Sequence, residues 1–199
     1  MEVGDTETIK INILKKNMPV NATNDKFGWI APDFNLLDVS GIKLSLNEIS
    51  GSNGTVIAFI CNHCPYVIAI AERLGKEAKE LSKLSINTIA IMSNDVIQYP
   101  DDSFENMKLF AKNYDFTFPY LFDESQEVAK QYGAVCTPDI FGFNNKNLLC
   151  YRGRIDSGVM NSDQKKIDRE LYNAMVKIKN DGIGPDKQLN SFGCSIKWK

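Results

Sequence analysis

The sequence predicts an α/β protein in which helices cover a layered β-sheet. Two apolar runs rich in β-branched residues, TVIAFI at 55–60 and INTIAIM at 86–92, lack alternation, which is typical of central strands buried on both faces. Apolar residues at three- and four-residue steps follow each run and predict amphipathic helices. Strands and helices therefore alternate along the chain, the order that gives an α/β fold.

Short strands are predicted ahead of the first buried run. The segment ETIKINIL, at 7–14, alternates isoleucine with polar residues and suits an edge strand. The segment APDFNLLDVSGIKLSLNEI, at 31–49, predicts two strands around the turn residues Asp38, Ser40 and Gly41. Further short strands are expected near FPYLF, at DIFGF and in NLLCYRG.

Two helices are predicted in the middle of the chain. The first begins after Cys64, and its apolar face comprises Val67, Ala71, Leu74, Ala78 and Leu81. The second is FENMKLFAKN, at 104–113, and Asp102 with Glu105 three residues later would open it as a capping box.

One domain is expected, with an arm before it and a tail after it. Residues 1–27 form the weakly patterned arm, 28–182 the folded domain, and 183–199 a tail that carries Cys194. The domain's last helix is predicted from about Ser162 to Asn180, and Gly182 after it is a helix-ending residue. Its apolar face comprises Ile167, Leu171, Ala174 and Ile178.

Composition and charge exclude several classes of protein. Of the 199 residues, 43% are hydrophobic and 24% are charged, as in an ordinary globular domain. The net charge of −2 argues against a nucleic-acid surface, which needs a basic patch. No apolar run approaches the roughly 18 residues that span a bilayer, and MEVGDTETIK lacks the apolar core of a secretory signal. We expect a cytosolic protein that binds neither nucleic acid nor membrane.

The stretch most able to do chemistry is FICNHCPYV, at 59–67. Here Cys61 and Cys64 enclose Asn62 and the only histidine, His63, where a buried strand leads into a helix. Cys61 is expected at or just before the first helical turn and Cys64 inside it, so the two sulfurs can form a disulfide. The unpaired N–H groups and positive dipole end of the helix favour a thiolate there. The stretch therefore predicts a redox dithiol.

Other interpretations use the same residues. An imidazolium at His63 would stabilise a thiolate at Cys61 and raise the reduction potential, or else the ring only fills a solvent position. Zinc or copper(I) could bind Cys61, His63, Cys64 and Cys136, although a structural zinc site needs four ligands and the sequence has no second C-x-x-C. Two inert core cysteines are the third interpretation, against which the polar Asn62 and His63 argue.

Several segments, in order, resemble one group of proteins. APDFNLLDVSGIKLSL resembles the N-terminal β-hairpin of peroxiredoxins, and VIAFICNHCPYV resembles their active-site strand, motif and helix. YGAVCTPDIFGF resembles the segment that holds the cis-proline of the thioredoxin fold, and YRGRID and GCSIKW resemble the peroxiredoxin-like subgroup. Over residues 28–199 the chain thus resembles peroxiredoxin-like proteins of the AhpC/TSA redoxin type with a C-x-x-C. The resemblance implies a thioredoxin-like fold, a central mixed β-sheet flanked by helices with an N-terminal β-hairpin extension.

The resemblance also implies a substrate groove and a thiolate-steadying arginine. The cis-proline falls on Pro138, and a cis bond would turn the Thr137 backbone toward the cysteines, where an extended substrate can pair with it. A trans proline before an edge strand is the alternative. Arg152 and Arg154 are candidates for the arginine by their position, or are surface charges.

Two further cysteines are possible auxiliaries. Cys194 would serve as a resolving or relay thiol if the tail folds back onto the Cys61–Cys64 disulfide, or is otherwise a packed or free thiol. Cys136, two residues before Pro138, would approach the same site.

The chain departs from both relatives at the active-site strand. Aligning the peroxidatic cysteine with Cys64 puts Cys61 where peroxiredoxins have a hydroxyl residue and Ile57 where they have proline. Compared with thioredoxin, Ile60 replaces a tryptophan and Thr55 replaces a buried aspartate. The resemblance therefore implies thiol–disulfide exchange more than peroxide reduction.

The favoured hypothesis is a thiol–disulfide oxidoreductase without a cofactor, in which the Cys61 thiolate attacks a disulfide and Cys64 resolves it. One alternative is a thiol-dependent peroxidase with Cys64 as the peroxidatic cysteine. Another is a metal-binding protein that uses Cys61, His63 and Cys64. The expected partners are protein or small-molecule disulfides, or peroxides, together with a thiol electron donor.

Overall fold

The computed structural model describes residues 19–21, 27–158 and 167–199, so the edge strand predicted at 7–14 lies outside the described residues. The strands are β1 (Pro19–Asn21), β2 (Asn35–Asp38), β3 (Lys43–Ser45), β4 (Gly54–Phe59), β5 (Ile86–Met92), β6 (Tyr120–Phe122), β7 (Cys136–Thr137), β8 (Asp139–Phe143), β9 (Leu149–Gly153) and β10 (Phe192–Ser195). The helices are α1 (Leu46–Ile49), α2 (Pro65–Ser82), α3 (Phe104–Asn113), α4 (Glu127–Tyr132) and α5 (Glu170–Asp181), with a 3₁₀ turn at Pro100–Asp102.

Seven strands form one mixed sheet, in the order β3-β2-β6-β5-β4-β8-β9. The central strands β4, β5 and β6 run parallel, whereas β2 and β3 on one side and β8 and β9 on the other pair antiparallel. The two apolar runs predicted as central strands and the hairpin predicted within 31–49 are confirmed.

The core lies on both faces of this sheet because β4 is buried throughout. Val56 and Ala58 face the cluster formed with helices α2 and α5. Ile57 and Phe59 point the other way, into a cluster formed with α4 and the half-buried Trp29. Each such side chain stabilises the fold by about 1.5–3 kcal/mol, so the sheet is held from both sides.

Helix α2 begins at Pro65, with Cys64 as its N-cap. Proline suits this first position because its missing N–H has no intrahelical partner there. The predicted apolar face is buried, which confirms the helix. Cys64 therefore caps the helix rather than lying inside its first turn, and Cys61 lies wholly before it.

The capping box predicted at Asp102 and Glu105 is wrong. Helix α3 is capped by Ser103, whose side chain accepts a hydrogen bond from the Asn106 amide at 3.4 Å. Asp102 is completely buried and does not cap this helix.

The last helix starts later than predicted. Helix α5 begins at Glu170, and Arg169 before it has a non-helical backbone while its guanidinium binds Glu77 of α2 at 2.7 Å. Ile167 consequently lies outside the helix. The other predicted face residues, Leu171, Ala174 and Ile178, are buried, and Gly182 ends the helix with a positive φ of 78°.

A second, three-stranded sheet has the order β1-β10-β7. The tail strand β10 lies between the other two, with Cys194 opposite Thr137 and Gly193 opposite Val20. In the described part of the chain, no helix combines the length and the hydropathy of a bilayer-spanning segment.

Candidate active site

The two cysteines of the C-x-x-C meet at Thr137. Cys61 follows strand β4, and its Sγ lies 3.2 Å from the Thr137 hydroxyl oxygen. Cys64 caps α2, and in its thiol form it donates to the Thr137 carbonyl oxygen, which lies 3.1 Å from its Sγ. The Thr137–Pro138 bond is cis, as predicted. The structure thus brings all four of these predicted site residues together.

The tail strand lies over this dithiol. Only 1% of Cys61 and 0% of Cys64 is exposed. Gly193 of β10 is so close to β7 that a Cβ there would lie 2.0 Å from the Thr137 carbonyl oxygen. Strand β10 therefore occupies the edge of Thr137 where an extended substrate was expected to pair.

Hydrogen bonds hold the tail on both sides of β10. The Ser191 hydroxyl donates to the Gly153 carbonyl at 2.6 Å, and the Ile196 amide donates to the Val135 carbonyl at 3.1 Å. Lys197 makes two further backbone hydrogen bonds. Its amide donates to the Asn94 side chain at 2.9 Å, and its carbonyl oxygen accepts from the Asp95 amide at 2.8 Å. The tail is thus an integral part of the site.

The surroundings of Cys64 favour its thiolate. A hydrogen bond from the Cys194 side chain, and next one from the Cys61 thiol, hold the pKa of Cys64 well below its ordinary value. The backbone amides of Cys194 and Val67 act in the same direction. Of these donors, the Val67 amide belongs to the first turn of α2, where backbone N–H groups lack intrahelical partners.

The surroundings of Cys61 have the opposite effect. Burial raises the pKa of the Cys61 thiol, and its hydrogen bond to Cys64 and the carboxylate of Asp102 raise it further. We expected the thiolate on Cys61. The contacts favour Cys64 instead, because hydrogen bonds from Cys194 and then from Cys61 lower its pKa.

Sequence patterns missed Asp102, which holds the loop between the cysteines. Its carboxylate accepts hydrogen bonds from the Asn62 amide, the His63 ring at Nδ1 and the Asn94 side chain, each at 2.7 Å. Tyr120 completes the arrangement by donating its hydroxyl to the Asn62 side chain at 3.0 Å. No local signal marks Asp102, since its burial arises only from the fold.

The main partner of the His63 ring is the Asp102 carboxylate. The ring stacks on Tyr99 with centroids 5.6 Å apart, and its hydrogen bond to Asp102 raises the pKa of His63. The nearby Cys64 raises this pKa as well. The cysteine that acts on the pKa of His63 is thus Cys64, whereas the prediction named Cys61; the tuning role itself stays a prediction.

We expect the histidine to titrate above its ordinary value of 6.5. Because the folded-state pKa is raised, its contribution to stability is full below the unfolded-state pKa and is lost as pH rises through the folded-state pKa. NMR of the single histidine would measure the folded value directly. The substitution Asp102→Asn should bring it down, and a wild-type value at or below 6.5 would contradict the ion pair.

The structure groups different metal donors from those predicted. The donor atoms of Cys61, His63 and Asp102 lie within 4.8 Å of one another, and these three are the group found among the described residues. Cys136 instead donates to the Pro138 carbonyl at 3.5 Å. Three donors are one fewer than a structural zinc site uses.

Arg152 does not steady the thiolate. It is buried, pairs with Asp139 at 2.9 Å and lies 4.5 Å above the centre of the Phe141 ring, in the core on the sheet face opposite the cysteines. Arg154 makes a two-pronged pair with Glu170, with both distances 2.7 Å. The charges of both guanidinium groups are balanced by these carboxylates.

An apolar groove of about 430 Å³ adjoins the site. It runs between α2 and the tail, and its lining includes Tyr66, Ile70, Pro138, Ile155 and Phe192. Its volume is in the range of ligand pockets, and Pro138 connects it to the residue that contacts both sulfurs.

Comparison with known proteins gives concordant results. The model of the AhpC/TSA family matches residues 27–155. Thioredoxin-like protein YneN of Bacillus subtilis (strain 168) is 28% identical over 125 residues, which make up 61% of this chain and 68% of that protein.

Solved structures extend the similarity to most of the chain. An uncharacterized conserved protein from Geobacillus kaustophilus is 40% identical with a TM-score of 0.86, covering 92% of this chain and 97% of its own. The thioredoxin domain of thiol-disulfide oxidoreductase BVU-2223 from Bacteroides vulgatus is 16% identical with a TM-score of 0.60, covering 79% of this chain and all of that domain (100%). The latter likeness concerns the fold, and it confirms the predicted thioredoxin-like arrangement. Since the family model matches more than half of the sequence, the chain belongs to the AhpC/TSA family.

Proposed function

We propose that this protein is a thiol–disulfide oxidoreductase whose redox centre is the Cys61–Cys64 pair, and that it needs no cofactor. The observation that carries the proposal is the convergence of both sulfurs on Thr137, beside Pro138, with Cys64 at the N-cap of α2. Membership of a thioredoxin-like family supports it.

The contacts suggest an order of events. The Cys64 thiolate attacks one sulfur of a substrate disulfide, a Cys64–substrate bond forms, and the other substrate sulfur leaves and takes up a proton. Cys61 then loses its proton and attacks Cys64, which closes the Cys61–Cys64 disulfide and releases the second substrate thiol. Two donor thiols, or one dithiol, then reduce the Cys61–Cys64 disulfide and are themselves oxidised to a disulfide, which regenerates the enzyme.

The His63 loop positions the reacting sulfurs in this scheme. Asp102 fixes Asn62 and His63 between the two cysteines, so the thiols approach each other without first ordering the loop. Such preorganisation is what a two-step exchange requires.

A redox titration tests the proposal. In glutathione buffers of graded potential, Cys61 and Cys64 should pass together from thiols to one disulfide, which mass spectrometry detects as the loss of two hydrogens from the peptide that contains both. The midpoint also indicates direction, since about −270 mV is typical of a reductant and about −120 mV of an oxidant. Thiols that remain free at every potential would refute the proposal.

A thiol peroxidase is the second candidate, because the lowered pKa of Cys64 and the AhpC/TSA match both favour it. Against it, Cys61 stands where the family has a hydroxyl residue. Peroxide consumption by the reduced protein tests this candidate. For the metal-binding alternative, the three clustered donors are the supporting observation, and elemental analysis of protein purified without chelator, followed by zinc and copper(I) titration, tests it.

A further inference from the structure

The tail strand β10 covers the dithiol. Cys61 and Cys64 are 1% and 0% exposed. A substrate that pairs with Thr137 would first have to remove β10, which is held by the hydrogen bonds described above. The structure therefore raises the question of how electrons enter and leave the site.

Cys194 stands where a substrate cysteine would stand. It lies in an extended strand directly opposite Thr137. Thr137 contacts both sulfurs of the C-x-x-C, and the Cys194 side chain packs against the apolar cluster that contains Cys61 and Cys64. The tail thus presents a thiol to the C-x-x-C in the same way that an extended protein substrate would.

Cys194 is also the most accessible of the five cysteines, all of which the structure describes. The other four are buried, whereas Cys194 is partly exposed. The neighbouring Phe192 is 46% exposed and contacts Tyr66 at the edge of the apolar groove. A disulfide arriving through the groove would therefore meet the tail before it met the buried pair.

We infer that Cys194 is a relay thiol, which exchanges with external disulfides and passes their oxidation to Cys64 and Cys61. This inference rests on the proposed function and deepens it, because it assigns the entry point of the substrate. It gives the tail strand a chemical role in addition to its structural one.

The steps balance as successive thiol–disulfide exchanges. Cys194 attacks an external disulfide, forms a mixed disulfide and releases the first thiol. Cys64 attacks the Cys194 sulfur, forms a Cys64–Cys194 bond and releases the second thiol. Cys61 then attacks Cys64 to form the Cys61–Cys64 disulfide and return Cys194 to a thiol. Two substrate thiols are gained, and two protein thiols become one disulfide.

The proton of Cys194 is accounted for in the first step. The neighbouring Cys64 and burial raise the pKa of Cys194, so Cys194 is the protonated thiol in the reduced protein. When Cys194 attacks, its proton goes to the substrate thiolate that leaves.

A trapping experiment tests the contact without requiring turnover. The variant Cys61→Ser stops the relay before its last step, so mild oxidation with oxidised glutathione should accumulate the Cys64–Cys194 disulfide. Trypsin leaves these two cysteines on separate peptides, which makes the cross-link visible by mass spectrometry under non-reducing conditions. If Cys64 instead remains a thiol or retains glutathione, the relay is overturned.

A kinetic experiment tests the use of the relay. The reduced Cys194→Ser variant should reduce oxidised glutathione roughly tenfold more slowly or worse, because access governs thiol exchange. The matched control is Cys150→Ser, which changes a buried thiol of β9 and should leave the rate unchanged. A rate for Cys194→Ser equal to the wild type would overturn the relay while leaving the proposed function intact.

A double variant separates the relay from simple damage to the site. The substitution Gly193→Ala would bring a Cβ to within 2.0 Å of the Thr137 carbonyl oxygen and so displace the tail. In Gly193→Ala/Cys194→Ser the dithiol is open and needs no relay, so the rate should recover relative to Cys194→Ser. Absence of recovery would argue that Cys194→Ser had damaged the dithiol itself. Wild-type protein that never reduces a disulfide would refute the proposed function, whereas the trapping experiment still decides whether Cys64 and Cys194 exchange.

Discussion

Replacement of Cys64 by serine should abolish thiol–disulfide exchange, with a loss of roughly a thousandfold or more, as expected when a covalent nucleophile is removed. Cys64 is the helix N-cap, and hydrogen bonding to Cys194 and Cys61 holds its pKa well below the ordinary value. A serine hydroxyl remains protonated there and cannot form a disulfide. The rate of reduction of oxidised glutathione measures the effect.

The controls for this experiment distinguish the candidate functions. Cys150→Ser should retain the wild-type rate, since Cys150 is buried in β9 away from Thr137. Cys61→Ser should still react with oxidised glutathione, ending as the Cys64–Cys194 disulfide, but should not complete the cycle. If peroxide rather than a disulfide is the substrate, the wild type will consume peroxide and Cys64→Ser will not. A Cys64→Ser rate within about tenfold of the wild type would remove Cys64 as the nucleophile.

Substitution of Asp102 by alanine should destabilise the protein by about 3–5 kcal/mol, the effect expected when a buried, hydrogen-bonded charge is deleted. The change would leave the Asn62 amide, the His63 ring and the Asn94 side chain without their acceptor, in a place that is completely buried. Urea unfolding monitored by circular dichroism measures the change in unfolding free energy.

Two comparison variants make the Asp102 prediction specific. Asp101→Ala changes an exposed side chain beside it and should have little effect on stability. Asp102→Asn keeps an acceptor oxygen and should destabilise less than alanine does. It should also lower the pKa of Cys61, because the Asp102 carboxylate raises it. An Asp102→Ala protein as stable as Asp101→Ala would show that the loop does not depend on this carboxylate.

Local sequence patterns predict most of this fold. The strand at 86–92 is found at the predicted residues because its apolar run is buried on both faces of the sheet, and the short strand predicted at DIFGF is found at 139–143. The helix after Cys64 is predicted by its periodicity. The contact of Thr137 with Cys61 and Cys64 is predicted by the family resemblance, and no local sequence pattern indicates it.

The remaining features depend on contacts between distant parts of the chain. Asp102 binds Asn62, 40 residues earlier, and nothing near Asp102 in the sequence encodes that partner. Every residue of β9 is buried, so no alternation shows which face Arg152 occupies. Insertion of the tail beside β7 likewise leaves no periodic trace. These are the points at which the predicted thiolate, arginine and capping box differ from the structure.

Gly193 determines which residue of the tail reaches the sulfurs. If β10 slipped by one residue in one direction, Cys194 would take the place of Gly193, and its Cβ would collide with the Thr137 carbonyl. A slip in the other direction would bring Phe192 to the same place, with the same collision. Register is weakly specified in glycine-rich strands, but here the one residue without a Cβ fits only one alignment. The glycine therefore fixes the register of β10 and keeps Cys194, rather than Ser195, opposite Thr137.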